Sequence, residues 1–217
     1  MSIKKLFTAI FFCGALVSAH TQAAPILTDI VFVVDESGSM NSAHQNLRNN
    51  IGLFSSILES TGQVDARFGL VGYGKSPAQP HMITDFTDPA SFSTSAQNLV
   101  ASGGTEPGYL ATAYALNEVD GQTDLFSYRP NAVKNIIIIT DEPNNPGNSS
   151  YYGTVGGANV NAPLLDQLLT DNNALYNGIL SGGNTVNSFG SLISDHGGNV
   201  FSLNDFTSSN QTVVENF

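Results

Sequence analysis

Short uninterrupted apolar runs alternate along this chain with stretches in which apolar residues recur every three or four positions, which predicts strands and helices in turn. Val31-Phe32-Val33-Val34 and Ile136-Ile137-Ile138-Ile139 are continuous, as expected of central strands covered on both faces. Leu47, Ile51, Phe54 and Ile57 recur at helical spacing behind the first run, and Leu164, Leu165, Leu168 and Leu169 mark a second helix. Between them the pattern predicts a strand around Phe68 to Tyr73, an edge strand near His81 to Phe86, and helices around Ala90 to Ala101 and Pro107 to Val119. Further on, Ala174 to Leu180 reads as a strand, Val186 to Ile193 as a helix and Asn199 to Leu203 as a strand. Thr207 to Phe217 reads as the start of a helix that stops short. Such alternation builds a mostly parallel sheet between two layers of helices. No internal repeat or linker interrupts it, so residues 24–217 are expected to form a single α/β domain.

Two stretches break the rhythm. Residues 101–108, Ala-Ser-Gly-Gly-Thr-Glu-Pro-Gly, form a Gly-rich turn with a helix start at Pro107. Residues 142–162 make a long loop rich in Pro, Gly, Asn and Ser that carries Tyr151 and Tyr152. Long ordered loops of that kind often carry function.

The first 23 residues change the picture of where the domain works. Lys4 and Lys5 precede an apolar stretch from Leu6 to Val17, and small residues follow at Ser18, Ala19, Ala23 and Ala24. This is the pattern of an export signal, residues 1–23, cut after Ala19 or Ala23. The run is shorter than the about 20 residues that span a bilayer, and no second run of that length follows. Cutting removes Cys13, so the mature chain has no cysteine and relies on its core alone. The expected location is the medium, the periplasm or the cell surface. No sorting motif or hydrophobic tail follows at the C-terminus.

With 7 Lys and Arg against 18 Asp and Glu, the net charge is −11. The few cations are scattered singly, which excludes a nucleic-acid partner. Charged residues make up only 12% of the chain, so its surface is mostly uncharged and polar.

Asp35, Ser37 and Ser39 stand at alternate positions directly after the first buried strand, with Gly38 permitting a tight turn. In an open parallel sheet, ligands bind at the carboxyl ends of strands. One carboxylate and two hydroxyls there suit Mg²⁺ or Mn²⁺. Local composition fits a helix N-cap at Ser39 or Asn41 equally well. The other strand ends decide: Asp141 follows Ile136 to Thr140 as Asp35 follows its own strand, and Thr105 lies in the Gly-rich turn.

Asp35-x-Ser37-x-Ser39, then Thr105, then Thr140-Asp141 resembles the metal-ion-dependent adhesion site of von Willebrand factor A domains, and the resemblance runs from about Asp29 to Phe206. It implies a doubly wound, mostly parallel six-stranded sheet with helices on both faces and one antiparallel edge strand. It also implies that Ser37 and Ser39 bind a divalent cation directly, with Asp35, Thr105 and Asp141 binding directly or through water. The cation would be Mg²⁺, Mn²⁺ or Ca²⁺, and a carboxylate from a protein or glycan ligand would complete its shell. Two carboxylates against a double positive charge leave the open face electrophilic; an inward Glu36 or Glu106 would weaken that attraction, and both are expected to point away. The chain departs from the common family pattern after Asp141, where Glu142-Pro143-Asn144-Asn145 replaces a frequent Gly. The 142–162 loop then becomes the candidate for partner specificity, with Tyr151 and Tyr152 as anchors.

Other signals carry less. Gly69 to Ser76 matches a P-loop letter for letter, but its residues are themselves a predicted strand, and Pro77 and Pro80 deny the following helix. Lys75 is then expected to be a solvated loop residue. His44, His81 and His196 have no zinc spacing, and no nucleophile elbow is present. The leading expectation is a binding module in adhesion or extracellular assembly, not an enzyme. The rivals are a metal-dependent hydrolase using Glu36, Glu106 or Glu142 as base, and a scaffold whose metal is purely structural. Replacing Asp35 separates them: a binder loses partner retention, an enzyme turnover, a scaffold only melting temperature.

Overall fold

The structure is a computed structural model, and it describes residues 24–60, 62–146 and 149–207. The expected export signal, residues 1–23, and residues 208–217 of the expected terminal helix lie outside the described residues. Six strands, β1 (Ile26–Asp35), β2 (Val64–Tyr73), β3 (His81–Thr87), β4 (Val133–Thr140), β5 (Ala174–Leu180) and β6 (Val200–Ser202), form one sheet in the order β3-β2-β1-β4-β5-β6. All neighbours are parallel except β3, which runs antiparallel to β2 at one edge.

Strict alternation of side chains divides each central strand between two cores. Val31, Val33, Ile136 and Ile138 face the layer of α3 (Gly108–Ala115), α5 (Ala162–Asp171) and α6 (Gly183–Asp195), where Leu110, Leu165 and Phe189 meet them. Phe32, Val34, Ile137 and Ile139 face α1 (Asn41–Glu59), α2 (Pro89–Ser95) and α7 (Leu203–Thr207), packing with Leu47, Ile51, Phe92 and Leu203. Burial on both faces is why these strands read as unbroken apolar runs. Leu203 therefore belongs to a helix and not to the last strand.

Two helices end earlier than their patterns suggest. After α2 the chain passes through one tight turn, Ala96–Asn98, and straightens at Leu99, because the Glu36 carboxylate draws the Val100 N–H to 3.0 Å. α3 stops at Ala115 because Asn117 takes a left-handed conformation at φ 67°. Its amide there brackets Phe126, donating to the carbonyl at 2.9 Å and accepting the N–H at 2.8 Å. A short helix inside the 142–162 loop, α4 (Ser149–Tyr152), has no counterpart in the apolar pattern.

Candidate metal centre

Strand order reverses between β1 and β4: from β1 the chain moves outward to β2, and from β4 to β5. The carboxyl ends of these two strands therefore border the crevice where open α/β sheets place ligands. Asp35 ends β1 and Asp141 follows β4.

The Asp35 carboxylate is fully buried. Its Oδ1 accepts the Ser37 N–H at 2.7 Å and its Oδ2 accepts the Thr140 hydroxyl at 2.8 Å, which ties the two strand ends together. The turn that follows brings the Ser37 and Ser39 hydroxyls within 3.3 Å of each other. Ser39 does not cap α1: the N-cap is Met40, and no side chain bonds the first turn. Capping therefore leaves the two hydroxyls uncommitted. His44 donates from Nε2 to the Asp35 carbonyl at 2.7 Å, and burial holds its pKa below the ordinary value, favouring the neutral ring. Its signal in the sequence was its place on the apolar face of α1.

Asp141 is held through its backbone, whose carbonyl accepts the hydroxyls of Ser181 at 2.6 Å and Thr185 at 3.0 Å. Its Oδ1 is enclosed without a hydrogen-bond partner. Fully buried Tyr73, beside Asp35 in the sheet register, also has a hydroxyl with no partner of hydrogen-bonding geometry. Buried polar atoms of this kind are uncommon and call for a missing partner.

Ser37, Ser39, Glu106, Glu142 and Asn145 line a cavity of about 410 Å³. Thr105 lines an adjoining groove of about 480 Å³ with Lys75, Ser76, Tyr151 and Tyr152. Gly103 and Gly104 wall both. Gly103, at φ 124°, backs so closely on the Gly74 carbonyl that any Cβ would collide with it. Gly103→Ala is accordingly expected to destabilise the fold by about 2–5 kcal/mol, from clash and left-handed strain together, and to weaken cation binding by displacing Thr105. Thermal melting and calorimetry on the same variant check both.

Glu36 and Glu106 part company. Glu36 turns away from the cavity but into the protein, its Oε2 3.8 Å from Lys75 Nζ and 3.5 Å from His81 Nε2. Lys75 is thus half-buried and paired, donating to His81 at 2.8 Å, and is not a free solvated residue. Its P-loop pattern is accounted for, since Gly69 to Tyr73 lie inside β2. Glu106, expected to point away, instead lines the cavity at 5% exposure, because Pro107 and Gly108 begin α3 directly behind it.

The electrostatics follow from this crowding. Burial pushes Asp35 up to about 6 against the hydrogen bonds of Ser37 and Thr140, with Asp141 adding repulsion. Burial, then the charges of Asp35, Glu142 and Asp141, push Glu106 up to about 7. Among the described residues no three His, Cys, Asp or Glu form a group that could hold a metal ion. The hydroxyls of Ser37, Ser39 and Thr105, with water, would therefore complete any shell. All these donors are hard oxygens, and together with the unpartnered Asp141 oxygen they fit Mg²⁺, Mn²⁺ or Ca²⁺.

The 142–162 loop is tied down at its far end. Asp120 accepts the Gly156 and Gly157 N–H groups at 2.9 and 2.8 Å and the Thr154 hydroxyl at 2.7 Å. Tyr151 is 67% exposed and Tyr152 half-buried, their rings edge to face at 5.3 Å.

Comparison with known proteins bears on the same fold. The solved SpRpn10 VWA domain is similar at a TM-score of 0.56 and 13% identity, over 86% of this chain and 96% of that one. The vWF domain of the type V pili tip protein Mfa5 from Porphyromonas gingivalis aligns at 23% identity and a TM-score of 0.39, over 56% of this chain and 40% of that one. No curated protein matches the chain. The von Willebrand factor type A domain model matches residues 29–216, and the chain belongs to that family.

Proposed function

We propose that this chain is an exported binding module, not an enzyme, that holds a divalent cation, Mg²⁺, Mn²⁺ or Ca²⁺, and recognises a protein or glycan ligand through it in adhesion or extracellular assembly. Asp35, Ser37, Ser39, Thr105 and Asp141 hold the cation. The observation that carries this reading is the buried Asp141 oxygen without a partner, at the strand-order reversal where Asp35 and the Ser37 and Ser39 hydroxyls, neither of them spent on capping α1, also lie. A cation there satisfies Asp141 and offsets the repulsion among the carboxylates.

The groove between Lys75, Thr105 and Tyr151 is the contact surface beside the cation. Exposed Tyr151, set edge to face on half-buried Tyr152, has the character of a binding anchor. Tyr151→Ala is expected to weaken retention of the partner by about 2 kcal/mol or more, with cation affinity and melting temperature unchanged. Partner capture from the organism's own surface fraction, run with cation and with chelator, tests the whole reading. Retention that needs the cation supports it; retention equal in chelator would overturn it.

A further inference from the structure

Three polar side chains meet near the amino end of β4, at the opposite end of that strand from Asp141. Lys134 Nζ lies 2.6 Å from Asn172 Oδ1. Asn172 Nδ2 donates to Glu118 Oε1 at 2.9 Å and to the Leu168 carbonyl at 3.0 Å. The amide oxygen thus faces an ammonium and its nitrogen a carboxylate, the one orientation in which each of its polar atoms has a matching partner. All three residues are half-buried.

The backbone fixes each of them. Asn172 caps the C-terminus of α5, with its N–H bonded to the Leu168 and Thr170 carbonyls, and left-handed Asn173 at φ 48° turns the chain into β5. That strand begins with Ala174 directly beside Lys134 in the sheet register. Glu118 follows the left-handed turn at Asn117, and its N–H bonds the Ala113 carbonyl. Lys134 Nζ also lies over the Tyr128 ring, 4.7 Å from its centre, which keeps water from that side. Burial lowers the Lys134 pKa, with the Glu118 charge opposing. A desolvated lysine gives up its proton more readily and becomes a nucleophile.

We infer that Lys134 and Asn172 form a self-modification site, at which the folded chain joins the two side chains by an amide bond with Glu118 as the proton carrier. Amines do not ordinarily attack amides, but a pair held in contact gains the large advantage of an intramolecular reaction. The Lys134 Nζ–Asn172 Cγ bond forms and the Cγ–Nδ2 bond breaks. Lys134 enters as the ammonium and gives up two protons; Nδ2 takes up two and leaves as ammonium. Glu118, already bonded to the departing nitrogen, carries protons across and ends as it began. No oxidant, reductant or other reactant is consumed. The residues are brought together only by the fold, so the step follows folding. Its product ties β4 to the end of α5 across 38 positions of sequence and restricts the unfolded chain as a disulfide does. The chain has a single cysteine and can form no disulfide within itself.

Intact mass spectrometry of the purified protein, followed by proteolysis and tandem mass spectrometry, tests this. The parent is expected to be lighter than its sequence requires by one ammonia, and its digest to contain a branched peptide joining Lys134 to Asn172. Lys134→Arg and Asn172→Ala are expected at full sequence mass. Glu118→Gln keeps an oxygen for the Asn172 amide but carries no proton, so it is expected to fold, as its melting transition shows, and to remain unlinked. A parent at full sequence mass, its three side chains only hydrogen-bonded, would overturn the inference. So would a loss of ammonia that persists in Lys134→Arg, because an asparagine closing on its own backbone loses ammonia too. A Glu118→Gln protein linked as completely as the parent would overturn the part assigned to Glu118.

Discussion

Asp35→Asn is expected to abolish cation binding, by about 100-fold or more in affinity, while raising the melting temperature of the cation-free protein. The two effects have opposite sign because the proposed cation needs the Asp35 charge, whereas in the cation-free fold that charge is an unfavourable buried one. It is fully buried among like charges, with Asp141 repelling it and its own charge acting on Glu106. Asparagine removes the charge but keeps the shape. Its oxygen can still accept the Ser37 N–H, and its amide can donate to the Thr140 hydroxyl, which only has to rotate. The bond to Ser37 in the turn and the tether to Thr140 at the end of β4 then both survive while one unfavourable buried charge is gone. Thermal melting in chelator and calorimetry with cation measure the two halves. A variant that melts lower and still binds would remove Asp35 from the site.

The second large effect lies at the other end of the same strand. Asp29 is fully buried, and its carboxylate accepts from Arg67 at 2.9 Å and from Arg129 Nε at 2.8 Å and backbone N–H at 2.7 Å. Arg129 also donates to the Thr28 and Asp65 carbonyls and to the Asp65 carboxylate. Breaking one side of a buried pair costs about 3–5 kcal/mol, because the other charge stays behind. Since Arg67 remains, Arg129→Ala is expected near the low end, about 3 kcal/mol, which for a domain of this size lowers the melting temperature by about 6–12 °C. Cation affinity should not change, because the pair lies toward the amino ends of β1 and β4.

The same cluster sets an acid limit. Burial alone would raise the Asp29 pKa, but the hydrogen bonds and charges of Arg67 and Arg129 outweigh it and hold the carboxyl below its ordinary value. A carboxyl lowered in the folded state binds its proton more readily when unfolded. Its contribution is therefore complete above the unfolded pKa of about 3.9 and is lost as pH falls below that toward the folded value. Arg129→Ala should flatten this acid loss. Melting curves between neutral pH and about pH 3 measure it.

Much of the scaffold was legible because it is local. β5 spans Ala174–Leu180, the same residues that its apolar pattern marks, and the isoleucine run of β4 announced burial on both faces. Asp35, Ser37, Ser39 and Asp141 stand out because strand ends in this fold share one rim. What the pattern could not carry depends on contacts far apart in the chain. The clip from Glu36 to Val100 spans 64 residues and ends the second helical segment early. The bond between Arg129 and Asp29 spans 100 residues and gives a charged residue a buried place inside a strand. Glu106 was misread for a related reason: beside an exposed Gly-rich turn, a glutamate looks solvated until the start of α3 closes behind it. Lys75 looked free because both of its partners lie on other segments.

The most direct test of the central claim is calorimetric titration of Mg²⁺, Mn²⁺ and Ca²⁺ into the chelator-stripped protein beside Asp35→Asn and Asp141→Asn. The account predicts one cation bound per parent chain and none by either variant. A parent that binds no cation at millimolar concentration, or variants that bind as the parent does, would contradict it.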